Sequence, residues 1–176
     1  MQLAEYAKLM RIDKPIGSLL LLWPTLTSLW IASDGTPKIN LIVIFVLGTF
    51  IMRSAGCVIN DYADRNFDGL VERTRTRPLA TGTVSSREAL ILFISLCSCG
   101  AILLLFLNNL TRILALFALF VAILYPFAKR WTQLPQGILG IAFSWGIPMA
   151  WTASTGSLTT IPWIFFSTCL VWIIAY

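Results

Sequence analysis

The chain has 176 residues, 57% of them hydrophobic and only 12% charged, with a mean hydropathy of +0.81 and a formal net charge of +5. A soluble domain carries about a quarter of its residues as charges, and several apolar runs here approach the ~20 residues that cross a bilayer, so a soluble protein is excluded. No RNA-binding motif or basic amphipathic patch accompanies the positive charge, which excludes nucleic acid as a partner; an all-α, polytopic transmembrane helical bundle in a lipid bilayer is expected.

Lys8, Arg11, Asp13 and Lys14 precede the first apolar run, Ile16 to Ala32. A cationic start before an apolar run can be a signal peptide. Pro24, two tryptophans inside the run and no small-x-small site after it favour a first transmembrane helix, kinked or wound irregularly at Pro24. Asp34-Gly35-Thr36-Pro37 reads as a turn. The second span, about Ile39 to Tyr62, delivers a charged stretch at its end, and residues 69–88 form a polar loop with Pro78 and Gly82 as breakers. Ser85 and Glu88 make a capping box that opens a third span, about Ser86 to Leu107.

Asn108-Asn109 turn the chain into a fourth span, about Thr111 to Phe127, followed by a short cationic segment with Lys129 and Arg130. The fifth span, about Leu134 to Ala153, contains Gly146 and Pro148, which allow a break. A sixth begins near Thr160. The sequence stops at Tyr176 inside this apolar segment, so residues 1–176 are expected to be the N-terminal portion of a single transmembrane domain that continues further. Alternate connecting segments carry ten lysines and arginines on one side against Lys38 and Arg112 on the other. That asymmetry predicts a cytoplasmic N-terminus and a cytoplasmic charged stretch.

The chain has no histidine, which removes the commonest general base and transition-metal ligand. Cys57, Cys97, Cys99 and Cys169 sit in apolar runs and read as packing residues. Chemistry must therefore rest on carboxylates, cations, tyrosines and a hard metal. The stretch Asn60 to Arg77, NDYADRNFDGLVERTRTR, gathers these groups. Read as helix, Asp61, Asp64 and Asp68 fall at i, i+3 and i+7, and Asn60 lies one turn before Asp64. All four oxygen-bearing side chains then share a face, and Arg53 lies deeper on the same stripe. Hard oxygen ligands suit Mg²⁺, and arginines suit phosphate oxygens. Acids at a helix C-terminus oppose the macrodipole, which a cation would offset. The residues leave two alternatives: a Mg²⁺–diphosphate site, or a solvated loop capping a helix.

The pattern Asn60-Asp61-x-x-Asp64-x-x-x-Asp68, followed by Arg73-Thr74-x-x-Arg77-Pro78-Leu79, resembles the first aspartate-rich motif of the intramembrane aromatic prenyltransferases. GCVINDYADRNFDG, residues 56–69, is similar in particular to the 4-hydroxybenzoate polyprenyltransferases of ubiquinone synthesis. Arg11-x-Asp13-Lys14-Pro15-Ile16-Gly17, LLLWPT from Leu20 to Thr25, Tyr125-Pro126-Phe127-x-Lys129-Arg130, Leu134-Pro135-Gln136 and Trp145 to Ala150 extend the likeness over essentially the whole chain.

The resemblance implies a nine-helix fold, of which about six spans are here, in a bacterial cytoplasmic (inner) membrane. It also implies transfer of a polyprenyl group from polyprenyl diphosphate to the ring of 4-hydroxybenzoate, with Mg²⁺ as cofactor. Asn60, Asp61, Asp64 and Asp68 would hold the metal, with Asp61 alternatively orienting its neighbours. Arg53, Lys129 and Arg130 would contact the diphosphate as catalytic groups, and Arg11, Lys14, Arg65, Arg73, Arg77 and Tyr125 would bind substrate. The family carries a second aspartate motif just after its sixth span. A chain ending at Tyr176 holds only half of the metal site and is not expected to be active alone. The rivals are a prenyltransferase with another aromatic acceptor, an inactive relative, and a transporter using the Asp/Arg stripe; a transporter would place polar groups on several spans.

Overall fold

The computed structural model describes residues 2–128, 131–132 and 134–175. Regular structure among them is all helical: α1 (Gln2–Leu9), α2 (Ile16–Ala32), α3 (Ile39–Asp68), α4 (Ser86–Leu104), α5 (Asn109–Ala128), α6 (Pro135–Ser144), α7 (Gly146–Thr155) and α8 (Thr160–Ala175). The packing sets α3 against α4, α2 against both α3 and α7, and α6 against α8. Helices α3, α4 and α5 are each long and apolar enough to cross a membrane, and α2 and α8 are shorter apolar helices. The protein is an integral membrane protein.

One element goes beyond the sequence reading, and the fifth span breaks where Gly146 and Pro148 allow it to. Helix α1 fills a stretch read only as a cationic start. Leu9 anchors it, fully buried against Val58, Val84 and Ala89, and the Tyr6 hydroxyl donates to Glu88 Oε1 at 2.8 Å. The capping box at Ser85 and Glu88 forms as expected. Helix α2 runs through Pro24 without interruption, with Ser28 Oγ tied to the Ile147 carbonyl of α7 at 2.8 Å. The fifth span is two helices that meet at Trp145. There α2 approaches so closely that a Cβ on Gly146 would collide with the Thr25 hydroxyl, and Pro148 brings no N–H to continue the ladder.

At 30 residues, α3 extends about 45 Å, well beyond a hydrocarbon layer of about 30 Å. Its apolar first two thirds satisfy the membrane, and its last turns emerge from it. This is where α1 and the 69–85 loop gather. Thr74, buried in that loop, donates from Oγ1 to the Asp68 carbonyl at 2.8 Å. The loop is thereby folded back over the helix end.

Candidate functional site

The emergent end of α3 carries the oxygen donors, and the structure sorts them by direction. Asn60 and Asp64 lie one turn apart and are half-buried. Asp61 and Asp68 are buried, their side chains 2% and 8% exposed, and two arginines cover them. Arg11 Nη2 donates to Asp61 Oδ1 at 2.9 Å. Arg77 Nη1 sits between the two acids, 3.0 Å from Asp61 Oδ1 and 2.8 Å from Asp68 Oδ2. Asp61, expected among the metal ligands, is thus engaged by cations brought from α1's linker and from the loop. The Asn60 amide reaches the same oxygen only at 3.5 Å.

Arg11 owes its reach to its backbone. It closes a Schellman turn after α1, its own N–H donating to Lys8 O and the Ile12 N–H to Ala7 O. It sits at the position that usually takes glycine or asparagine, with a left-handed φ of 55°. A side chain is disfavoured there unless its contacts hold it, and the buried partner at Asp61 does so.

A cavity of about 460 Å³ opens between α1, its linker and the loop. Its walls include Lys8, Arg11, Lys14, Arg73 and Arg77, with Asp13 and Asp61 as the acids. Five cations against two carboxylates make it an anion pocket by composition. Arg53, one of the expected diphosphate contacts, points elsewhere. Its guanidinium passes 2.9 Å from where a Gly17 Cβ would be and lies 5.8 Å from the Phe143 ring centroid. Glycine at position 17 keeps that path open, and the ring face offers the cation a favourable contact.

Arg65 folds back on its own helix, donating to the Tyr62 carbonyl at 2.6 Å with its Cζ 4.3 Å from the Tyr62 ring centroid. Arg75 pairs locally with Glu72. Tyr125 is half-buried near the end of α5. Lys129 and Arg130 lie outside the described residues.

Among the described residues no three His, Cys, Asp or Glu side chains stand close enough to hold a metal by themselves. The donor chemistry still fits Mg²⁺, which takes one or two carboxylates and completes its shell with water and substrate phosphates. Asn60, Asp64 and Asp68 form a hard oxygen series at successive turns with no thiolate or imidazole to select another metal. Sequence reasoning missed the strap α1 and the pairing of Asp61 with Arg11 and Arg77. The only signal was the i, i+7 relation of Asp61 and Asp68, which lets one guanidinium reach both.

Fold and site together define an intramembrane helical protein built to present cations and oxygen donors at one membrane face. Residues 21–176 match the UbiA prenyltransferase family, and the chain belongs to it. It is 59% identical over 175 residues, 99% of this chain and 60% of the relative, to a 4-hydroxybenzoate octaprenyltransferase of Nitrosospira multiformis. Its fold is similar to the apo structure of a UbiA homolog from Aeropyrum pernix K1, with a TM-score of 0.81 at 25% identity, covering 92% of this chain and 61% of that one. A UbiA homolog from Archaeoglobus fulgidus bound to GPP and Mg²⁺ shares the fold at a TM-score of 0.77 and 18% identity, over 96% of this chain and 60% of that one. The chain spans about 60% of the length of these relatives.

Proposed function

We propose that the full-length protein transfers a polyprenyl group from polyprenyl diphosphate to 4-hydroxybenzoate, at the ring carbon ortho to the hydroxyl, releasing diphosphate and requiring Mg²⁺. The observation that carries this reading is the convergence, at the emergent end of α3, of the oxygen series Asn60, Asp64 and Asp68 with the cations Arg11 and Arg77. The likeness to 4-hydroxybenzoate octaprenyltransferases supplies the acceptor and the prenyl donor.

The residue types suit this chemistry. The allylic C–O bond ionises while charge builds on the leaving diphosphate, and groups aimed at that charge lower the barrier. Mg²⁺ held by Asn60, Asp64 and Asp68 would neutralise part of it. Arg11, Lys14, Arg73 and Arg77 line the pocket beside this series and would bind phosphate oxygens. Arg53, against the Phe143 ring, would take an anionic group deeper in the bundle. Lys129 and Arg130 would add to the diphosphate contacts, and Tyr125, near the end of α5, would border the substrate. Phe117, Trp145, Trp163 and Phe166 form a stacked and edge-on cluster, which would keep water from an allylic cation.

The excess of lysine and arginine on one side supports a bacterial cytoplasmic membrane with the site facing the cytoplasm. The polar bonds between spans, such as Ser33 to Ser154 and Thr111 to Thr152, are neutral pairs with named partners. They do not favour the transporter reading.

Full-length protein in membranes, given polyprenyl diphosphate and 4-hydroxybenzoate, is expected to form the prenylated acid in Mg²⁺ and none in excess chelator, measured by mass spectrometry. Prenylation of a different aromatic acid only would overturn the acceptor. No product with any acceptor would overturn the enzymatic reading.

A further inference from the structure

We propose that Asp61 is a positioning residue for the diphosphate pocket and not a ligand of the metal; the inference rests on the reading of the site as a Mg²⁺–diphosphate centre. One buried oxygen, Asp61 Oδ1, receives Arg11 Nη2 at 2.9 Å and Arg77 Nη1 at 3.0 Å. The two guanidinium nitrogens are therefore no more than about 6 Å apart, the sum of those distances. Like charges held that close separate unless a shared counter-ion fixes them. Asp61 supplies the counter-ion from the wall of the pocket that both arginines line.

Each guanidinium spends one terminal nitrogen on Asp61 and has a fork of five donors in all. The remaining edges are left to meet an anion, with their orientation set in advance. Asp68 holds Arg77 a second time, whereas Arg11 is tied by Asp61 and sits on a strained left-handed backbone. Arg11 is therefore the group most dependent on Asp61. Neither Asn60 nor Asp64 lines this cavity. Asp61 thus faces the α1 side of α3, with Asn60 and Asp64 off it; Asp68, which shares Arg77 with Asp61, joins the two groups.

The test is calorimetric titration of inorganic pyrophosphate onto the detergent-solubilised full-length protein, without and with Mg²⁺. Asp61→Asn is expected to weaken pyrophosphate binding roughly tenfold in either buffer, as loss of a charge-assisted anchor does, and to keep the gain that Mg²⁺ confers. Because the substitution makes the pocket more positive, a mere counter-charge would give the opposite sign. Unchanged or tighter binding overturns the proposal, and so does intact metal-free binding with the Mg²⁺ gain lost.

Arg11→Lys keeps the charge but loses the fork. It is expected to show the same weakening, and the double variant is expected to lose no more than either alone. Should Asp61→Asn not fold, Arg11→Lys decides, and unaltered pyrophosphate affinity in it overturns the proposal. Asp64→Asn serves the underlying reading separately: it should remove the Mg²⁺ gain and spare metal-free binding. If that gain survives in Asp64→Asn, the metal assignment fails while the Asp61 result is still read from the metal-free titrations.

Discussion

The two ends of the bundle hold themselves together by different chemistry. At one end Asn108 caps α5, its Oδ1 accepting from the Thr111 N–H and hydroxyl at 2.9 Å, while its Nδ2 donates to the Thr152 carbonyl at 2.6 Å. Arg112 satisfies the last carbonyls of α4, donating to Leu104 and Leu105 at 3.0 and 2.8 Å. These bonds are neutral or end on backbone, and each closes a helix terminus or joins two helices. At the other end, the aspartate end, four charged side chains, Arg11, Arg77, Asp61 and Asp68, converge, two of them buried. Desolvating charges is expensive, and hydrophobic replacements would be as stable or better. Stability explains the Asn108 end. On the proposed reading, recognition of an anion and a cation explains the aspartate end.

That contrast can be tested by substitutions that separate activity from folding. The largest effect is expected from Asp64→Ala, which should lower prenyl transfer roughly a hundredfold or more while the thermal midpoint in detergent moves by only a few degrees. Asn108→Ala should do the reverse. It strips the N-cap, leaving the Thr111 N–H short of a partner, and removes the side-chain bond to the Thr152 carbonyl, which keeps the Gly156 N–H. It should cost about 2 kcal/mol in unfolding with pyrophosphate affinity unaltered.

Gly17→Ala is a smaller probe of the aspartate end. The added Cβ would meet Arg53 Nη2 at 2.9 Å, and the flexible guanidinium would move aside. Turnover should fall about tenfold with little change in melting, because a misplaced binding group costs rate more than fold. The smallest effect is expected from Tyr6→Phe, which removes the bond to Glu88 and should lower the unfolding midpoint slightly, read by chemical denaturation. The Glu88 carboxylate accepting this hydrogen bond pushes the Tyr6 phenol above its ordinary value. The bond's contribution is therefore complete at neutral pH and is lost as pH climbs through the raised value. The Tyr6→Phe difference should vanish only in strong alkali.

The spans were legible because hydropathy and length decide them. Ile16–Ala32 coincides with α2, and the capping box fixed the start of α4 at Ser86. The expected ends of spans two and three were less secure. Helix α3 continues to Asp68 because its last turns are held by the returning loop through Thr74, a long-range bond that periodicity cannot register. Helix α4 stops at Leu104, where Arg112 caps its carbonyls; by charge counting that arginine was only an exception to the positive-inside pattern.

The Asn60, Asp64, Asp68 series could be read from spacing, since 3.6 residues per turn places it. The turn of Asp61 towards Arg11 and Arg77 could not. It depends on a left-handed residue ten positions into the chain and on how the loop folds over the helix, both set by tertiary packing.

The most direct measurement is Mn²⁺ binding, as a paramagnetic substitute for Mg²⁺, to the full-length protein in the presence of pyrophosphate, followed by electron paramagnetic resonance. Wild type should sequester the ion when pyrophosphate is added, and Asp64→Ala should leave it free. Equal sequestration by both proteins, or none by wild type, would contradict the assignment of the α3 terminus as a metal–diphosphate site.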